Sequence, residues 1–226
     1  MIYITGDTHG DLERFRAPKL RRLKKHDTLI VCGDFGFIWD GSEQEKKDLA
    51  WLSRRRYTIA FVEGAHENYT LLNNCEIVDF CGGKARKLAD RIYQLIRGEI
   101  FEIDGKKILA FGGGDDEETD LMDLDDCPDF RRLPSGEDTG RALQNLEAAG
   151  GEVDYIVTYD VGFRLRSFLK METNCFNNLH AFLDELGGKC RYSKWFFGCF
   201  HLDRRIPPKY YGVYREVLDA ETGKEI

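Results

Sequence analysis

The ten residues MIYITGDTHG (residues 1–10) place a short apolar run directly before a turn that contains an aspartate and a histidine. Tyr3 to Thr5 is rich in β-branched and aromatic side chains, which is typical of a buried strand. Asp7 and His9 follow at once, two positions apart. This stretch predicts a strand that ends at the rim of a functional site.

The same pattern, a buried strand followed by a polar turn, recurs four times along the chain. The further strands predicted from it are Thr28 to Cys32, Thr58 to Val62, Tyr155 to Thr158 and Trp195 to Phe197. In open α/β sheets the carboxyl ends of parallel strands line one crevice, so we expect the turn residues to converge there. The candidates are Asp7, His9, Asp34, His66 and His201.

Amphipathic segments between these strands predict helical crossovers and therefore parallel strands. Ser42 and Glu45 form a capping-box pattern ahead of an apolar stripe. Further helices are predicted over residues 137–149 and around residues 176–186.

The middle of the chain predicts closely spaced strands and therefore a mixed sheet. The candidates are Arg91 to Ile96, Glu99 to Ile103 and Lys107 to Phe111, with a tight turn at Asp104-Gly105 between the last two. Tyr210 to Leu218 is expected to be the last long strand. The tail that follows is expected to close a small hairpin or to fray.

Length and charge narrow the class of protein. The 226 residues contain neither a repeat nor a low-complexity linker, so we expect a single domain over residues 1–226. The net charge of −7 argues against a nucleic-acid partner. No apolar run approaches the ~18 residues that a membrane span needs. Seven cysteines without a CxxC pair and the absence of a signal peptide predict reduced thiols in a cytoplasmic protein.

Nine of the fifteen residues from Asp115 to Asp129 are acidic. A solvated loop is the simpler interpretation of such a run. The alternative is a lid or a partner-binding segment near the site.

Aspartate and histidine together suit a divalent transition metal, because carboxylate oxygen and imidazole nitrogen are borderline ligands for Mn, Fe, Zn or Co. Asp7 and His9 can turn to one ion, since residues i and i+2 of an extended chain share a face. A hydrogen-bonded loop pair is the alternative for these two residues alone. Similar turns after four other strands favour the metal site.

The motifs GDTHGD (6–11), GD (33–34), GAHE (64–67) and GCFH (198–201) resemble those of the calcineurin-like metallophosphoesterases. The longer runs GDFGFIWDGS (33–42) and EGAHENYTLL (63–72) are similar to a bacterial subgroup of small, stand-alone members. The resemblance implies two mixed β-sheets packed as an α/β sandwich and flanked by helices. It also implies a two-metal site that hydrolyses phosphate monoesters or diesters.

Carried over residue by residue, the resemblance gives complete ligands for one metal only. The first metal would be held by Asp7, His9, Asp34 and His201. The second would share Asp34, but its other three positions are occupied here by Ala65, Tyr159 and Cys199. Alanine cannot ligate and tyrosine is a poor ligand, while Cys199 could ligate as a thiolate or serve as a small buried residue. The resemblance assigns His66 to the leaving group, which it would protonate or hydrogen-bond.

The sequence therefore predicts one divalent transition-metal ion, with the second ion absent or weakly bound. The predicted function is slow hydrolysis of a phosphate-ester small molecule, with His66 and Asp34 as catalytic residues. The alternative is a catalytically inactive homologue that binds a phosphorylated ligand or a partner as a regulatory module. A purely structural metal is a third possibility.

Overall fold

Two β-sheets form the centre of the computed structural model, which describes residues 1–114, 129–169 and 177–226. The strands are β1 (Ile2–Gly6), β2 (Thr28–Cys32), β3 (Thr58–Val62), β4 (Glu76–Phe80), β5 (Gly83–Ala89), β6 (Ile92–Leu95), β7 (Ile100–Ile103), β8 (Lys106–Phe111), β9 (Tyr155–Thr158), β10 (Lys194–Phe197), β11 (Arg204–Ile206), β12 (Tyr210–Gly212), β13 (Leu218–Asp219) and β14 (Lys224–Glu225). The helices are α1 (Leu12–Arg16), α2 (Glu43–Ser53), α3 (Tyr69–Asn73), α4 (Gly136–Ala148), α5 (Phe163–Phe168) and α6 (Asn178–Lys189).

Both sheets are mixed. The eight-stranded sheet has the order β14-β13-β1-β2-β3-β6-β5-β4, and the six-stranded sheet has the order β11-β12-β10-β9-β8-β7. Strands β1, β2, β3 and β6 run parallel, as do β8, β9, β10 and β12. The antiparallel pairs lie toward the sheet edges, and the β7–β8 hairpin turns at Asp104-Gly105 as predicted.

Alternating side chains along each parallel strand fill two different layers. In β2, Ile30 and Cys32 enter the core between the sheets, whereas Leu29 and Val31 face the helical layer outside. In β9, Val157 likewise points to the other sheet. Because both faces of these strands are covered, the strands are apolar throughout. The architecture is the predicted α/β sandwich flanked by helices.

Local capping explains where the flanking helices begin. The Ser42 side chain accepts a hydrogen bond from the backbone N–H of Glu45 at the start of α2. Ser135 and Asp138 form a complete capping box at α4. The Asn177 side chain caps α6 by accepting from the backbone N–H of His180. None of the helices in the described ranges is long and apolar enough to cross a bilayer.

The long last strand predicted over Tyr210 to Leu218 is wrong, because the chain leaves one sheet after β12 and joins the other at β13. The carboxylate of Asp203 accepts hydrogen bonds from the backbone N–H groups of residues 214, 215 and 216, which bends this connection. The tail does form the small hairpin, β13–β14.

The acidic run 115–128 and the predicted helix start at 176 lie outside the described residues. The five cysteines within the described ranges are free thiols.

Candidate metal centre

Asp7 lies at the carboxyl end of β1 and is 1% exposed. Neither of its carboxylate oxygens accepts a hydrogen bond from any residue that the structure describes. His201 Nε2 lies 3.2 Å from Oδ2, a charge contact without hydrogen-bond geometry. Burial raises the pKa of Asp7 from 3.8 to about 6, against the opposing effect of His201. A buried carboxylate without donors is the chemistry expected of a cation ligand.

His9 and His201 come from turns that are far apart in sequence, and their imidazole rings meet edge to face. The two Nε2 atoms are 3.1 Å apart, and the rings are tilted by 81°. Burial lowers the pKa of His9, whereas the Asp7 carboxylate raises the pKa of His201. One ligand atom from each of Asp7, His9 and His201 lies within 4.8 Å of the other two. This group matches the spacing that one metal ion needs.

Asp34 follows β2 and is the most heavily bonded residue of the centre. Its Oδ1 accepts from the backbone N–H of His66 at 2.9 Å, and its Oδ2 lies 2.9 Å from the Nδ1 of the same histidine. Burial acts to raise the pKa of Asp34, but these contacts with His66 outweigh it, so the pKa lies below its usual range. His9, Asp34 and His66 form a second group whose ligand atoms lie within 4.8 Å of one another.

Three of the four predicted ligands have left-handed backbone conformations. The φ angle is +46° at His9, +41° at Asp34 and +48° at His201. Non-glycine residues adopt this region infrequently, at a cost of roughly 1–3 kcal/mol each, and such residues cluster at functional sites. Half of the six non-glycine residues with positive φ in the described chain therefore lie where these side chains converge. The others, Cys81, Arg91 and Asp104, lie in turns between strands.

Tyr159 occupies the position assigned to a second-metal histidine, and its hydroxyl donates to Asp34 Oδ2 at 3.0 Å. The ring is wedged between two glycines: a Cβ added at Gly33 would lie 2.0 Å from it, and one added at Gly114 would lie 2.3 Å away. Burial and the charge of Asp34 raise the pKa of Tyr159 well above its usual value, so the phenol stays neutral. The hydroxyl thus occupies one hydrogen-bonding position of the Asp34 carboxylate, the residue that the resemblance assigns to both ions.

Cys199, at the second lost position, belongs to a different cluster. Its Sγ donates to Asp160 Oδ1 at 3.4 Å, and burial raises the thiol pKa well above its usual value. Asp160 is also held by Arg166 at 2.7 Å and by His180 at 2.9 Å, deep in the protein. This geometry favours the interpretation of Cys199 as a small buried residue. Ala65, the third lost position, carries no ligand atom.

Two residues that support the centre were not predicted from the sequence. The Tyr214 ring stacks on His201, with centroids 4.6 Å apart and a 27° tilt. Arg14 in α1 donates to the backbone carbonyls of Asp7 and Tyr214, tying β1 to the last connection. Neither residue belongs to a motif, and only the three-dimensional contact identifies them. Asn68 caps α3 by accepting from the backbone N–H of Leu71.

Comparisons with known proteins bear on the family and the fold. The sequence profile of the calcineurin-like phosphoesterases matches residues 1–160. A search of curated proteins finds no match. Among solved structures, a phosphopantetheinyl hydrolase from Mycobacterium tuberculosis aligns over 94% of this chain and 89% of its own, with a TM-score of 0.50 and 14% identity. At that identity the likeness concerns the fold alone. Because the family profile covers more than half of the 226 residues, the chain belongs to the calcineurin-like phosphoesterase family.

Proposed function

We propose that the chain hydrolyses a phosphate monoester or diester with one divalent transition-metal ion. The residues that would hold the ion are Asp7, His9, Asp34 and His201. The observation that carries the proposal is the buried Asp7 carboxylate, which has no hydrogen-bond donor among the described residues and faces two imidazoles. Such a carboxylate is unfavourable unless it meets a cation.

The donor set fits a borderline metal such as Mn, Fe, Zn or Co, because it combines carboxylate oxygen with imidazole nitrogen. A bound ion would supply positive charge that stabilises the negative charge developing on the phosphoryl group. The His201 side chain is 50% exposed, so the centre is open to a substrate from solvent.

His66 is the residue that we assign to the leaving group. Hydrolysis forms a P–O bond from water, breaks the ester P–O bond and delivers a proton to the departing oxygen. The contact of His66 Nδ1 with Asp34 fixes the orientation of the imidazole ring, so that Nε2 is turned away from Asp34. The side chain is 40% exposed, which suits contact with a substrate.

Two contacts support a single ion rather than a pair. The Tyr159 hydroxyl donates to Asp34 Oδ2, and the Cys199 thiol donates to Asp160. With less positive charge facing the phosphoryl group, catalysis would lose ~4 kcal/mol of stabilisation, or roughly a thousandfold in rate.

The test combines metal analysis with turnover of p-nitrophenyl phosphate and its diester. We expect one tightly bound ion per chain and slow turnover that His66→Ala abolishes without loss of metal. The exposed His26 gives the control, because His26→Ala removes an imidazole far from the five converging residues. Two tightly bound ions per chain would refute the single-ion site.

A catalytically inactive binding module is the second candidate, and the observation that favours it is the wedged phenol of Tyr159. A bound ion without turnover of either ester would support it. The triple variant Ala65→Asn, Tyr159→His and Cys199→His separates the two further. If the assignment of lost ligands is right, this variant binds a second ion and hydrolyses faster; no gain in either contradicts the assignment.

A further inference from the structure

A cavity of about 470 Å³ lies beside the candidate metal centre, between α3, the β5–β6 pair and the segment 130–141. Its lining includes none of the five converging residues of that centre. The two regions share one segment of chain, because Glu63 lines the cavity and a Cβ added at the next residue, Gly64, would lie 2.0 Å from Asp34 Oδ1. The volume falls within the range of small-molecule sites.

Four arginines line this cavity, in a chain whose net charge is −7. Three of them are matched by carboxylates: Arg97 pairs with Glu63, Arg131 with Asp129 at 2.6 Å, and Arg141 with Asp138 at 3.2 Å. The fourth, Arg86, forms no ion pair with any carboxylate in the described part of the chain. The cavity wall therefore holds one guanidinium without a counter-charge.

Arg86 is held in place by a network that leaves donors unused. Its guanidinium donates to Gln94 Oε1 at 3.0 Å. The Gln94 amide is fixed in turn, since it donates to Glu63 Oε2 at 2.6 Å, and the other oxygen of Glu63 is taken by Arg97. Arg86 Nε is buried and has no hydrogen-bond partner within residues 1–114, 129–169 and 177–226. Because Nε is sealed from solvent, an anion in the cavity would meet the Nη atoms, of which only Nη1 donates to a described residue.

Part of the lining is apolar. Leu72 and Leu133 contribute to it, and the Phe130 side chain lines it while remaining 73% exposed. A cavity that offers both an exposed phenyl ring and a guanidinium without a carboxylate partner matches a ligand with an anionic head and an apolar or flat body.

We propose that this cavity binds a small organic anion, whose phosphate or carboxylate head pairs with Arg86 and whose apolar part packs against Phe130. The site is separate from the metal centre and does not depend on the proposed hydrolysis. A charge-assisted contact with a guanidinium supplies both affinity and orientation.

The test uses phenylphosphonate and benzoate as probes. Each has a phenyl ring, the first with a phosphonate group and the second with a carboxylate, and neither contains an ester bond. Isothermal titration of the metal-free protein should show one site for at least one probe, and the stronger probe identifies the head group. Arg86→Gln should weaken that probe by about tenfold or more. The control is Lys87→Gln, which removes a cation from the other face of β5, where Lys87 pairs with Asp90.

Two further variants keep the test decisive if Arg86→Gln does not fold. Asn73 is exposed and lines the cavity, so Asn73→Asp adds a negative charge without a change of shape and should weaken binding several-fold. Phe130→Ala should remove the preference for phenylphosphonate over methylphosphonate. The proposal is overturned if neither probe binds, if Lys87→Gln weakens binding as much as Arg86→Gln, or if binding survives both further variants unchanged.

Discussion

Tyr159→Phe removes one hydroxyl from the candidate metal centre and leaves the rest of the side chain in place. The ring cannot move far, because the backbone of Gly33 and Gly114 approaches it so closely that an added Cβ would lie 2.0 and 2.3 Å from it. No cavity therefore opens, and the loss is confined to the hydrogen bond to Asp34 Oδ2.

The size of that loss follows from the charge and burial of the two partners. A buried hydrogen bond to a charged group contributes roughly 1.5–3 kcal/mol. Asp34 keeps a lowered pKa and is therefore ionised at neutral pH. We expect Tyr159→Phe to reduce the free energy of unfolding of the metal-free protein by about 2 kcal/mol. The melting temperature should fall by about 4–8 °C in a chain of this size.

Urea unfolding in the presence of a chelator measures this difference, and Tyr57 offers a matched control. Its hydroxyl is also buried but meets no hydrogen-bond partner among the residues described. Tyr57→Phe should leave stability unchanged or raise it by up to about 1 kcal/mol. A loss of stability in Tyr159→Phe no greater than that in Tyr57→Phe would refute the contribution assigned to the hydrogen bond with Asp34.

Three further variants test other contacts. Because the pKa of Asp7 is raised, the folded state favours the protonated carboxyl. The contribution of Asp7 to the free energy of unfolding is therefore highest below pH 4 and falls as the pH rises to about 6. In metal-free protein, Asp7→Asn should gain about 3 kcal/mol relative to wild type between pH 4 and pH 7, measured by urea unfolding. Glu63→Gln should cost about 3 kcal/mol by the same method, because it removes the carboxylate paired with the buried Arg97 and leaves only the 3.8 Å contact with Asp138. Gly64→Ala should displace Asp34 and lower the metal content.

Control substitutions elsewhere in the chain show whether the changes in stability and metal content are specific to these contacts. Glu152→Gln breaks an exposed pair with Arg191 and should cost about 0.5 kcal/mol or less. Gly188→Ala places a Cβ in open space on α6 and should leave metal binding intact. An Asp7→Asn difference that stays constant with pH would contradict the burial argument, and retention of full metal content in Gly64→Ala would contradict the close approach to Asp34.

The convergence of the polar turns could be predicted because the signal is local. Each parallel strand is an apolar run that ends in a polar turn, and a parallel sheet collects such turns at one edge. Asp7, His9, Asp34, His66 and His201 needed no tertiary information beyond that rule. The α/β class followed from the same alternation of strands and helices.

Contacts between distant side chains could not be predicted in this way. The break between β12 and β13 depends on Asp203, which accepts from three backbone N–H groups eleven to thirteen residues away. The β4–β5 hairpin went unrecognised because β4 is largely exposed and lacks a clean apolar face. The direction of the Tyr159 hydroxyl and the lack of a carboxylate partner for Arg86 among the described residues are properties of packing, which no local pattern encodes.

The left-handed backbone at His9, Asp34 and His201 lowers the stability of the metal-free protein. Under the proposed single-ion site, the same residues are needed to hold the ion. Glycine and, to a lesser degree, asparagine fit this conformation with less strain. A library randomised at these three positions and selected for survival at high temperature in the presence of a chelator should drift toward those two residues. The same library selected for metal retention should keep aspartate and histidine. The difference in residue frequencies between the two selected populations would show, at each position, how strongly ion binding constrains the residue.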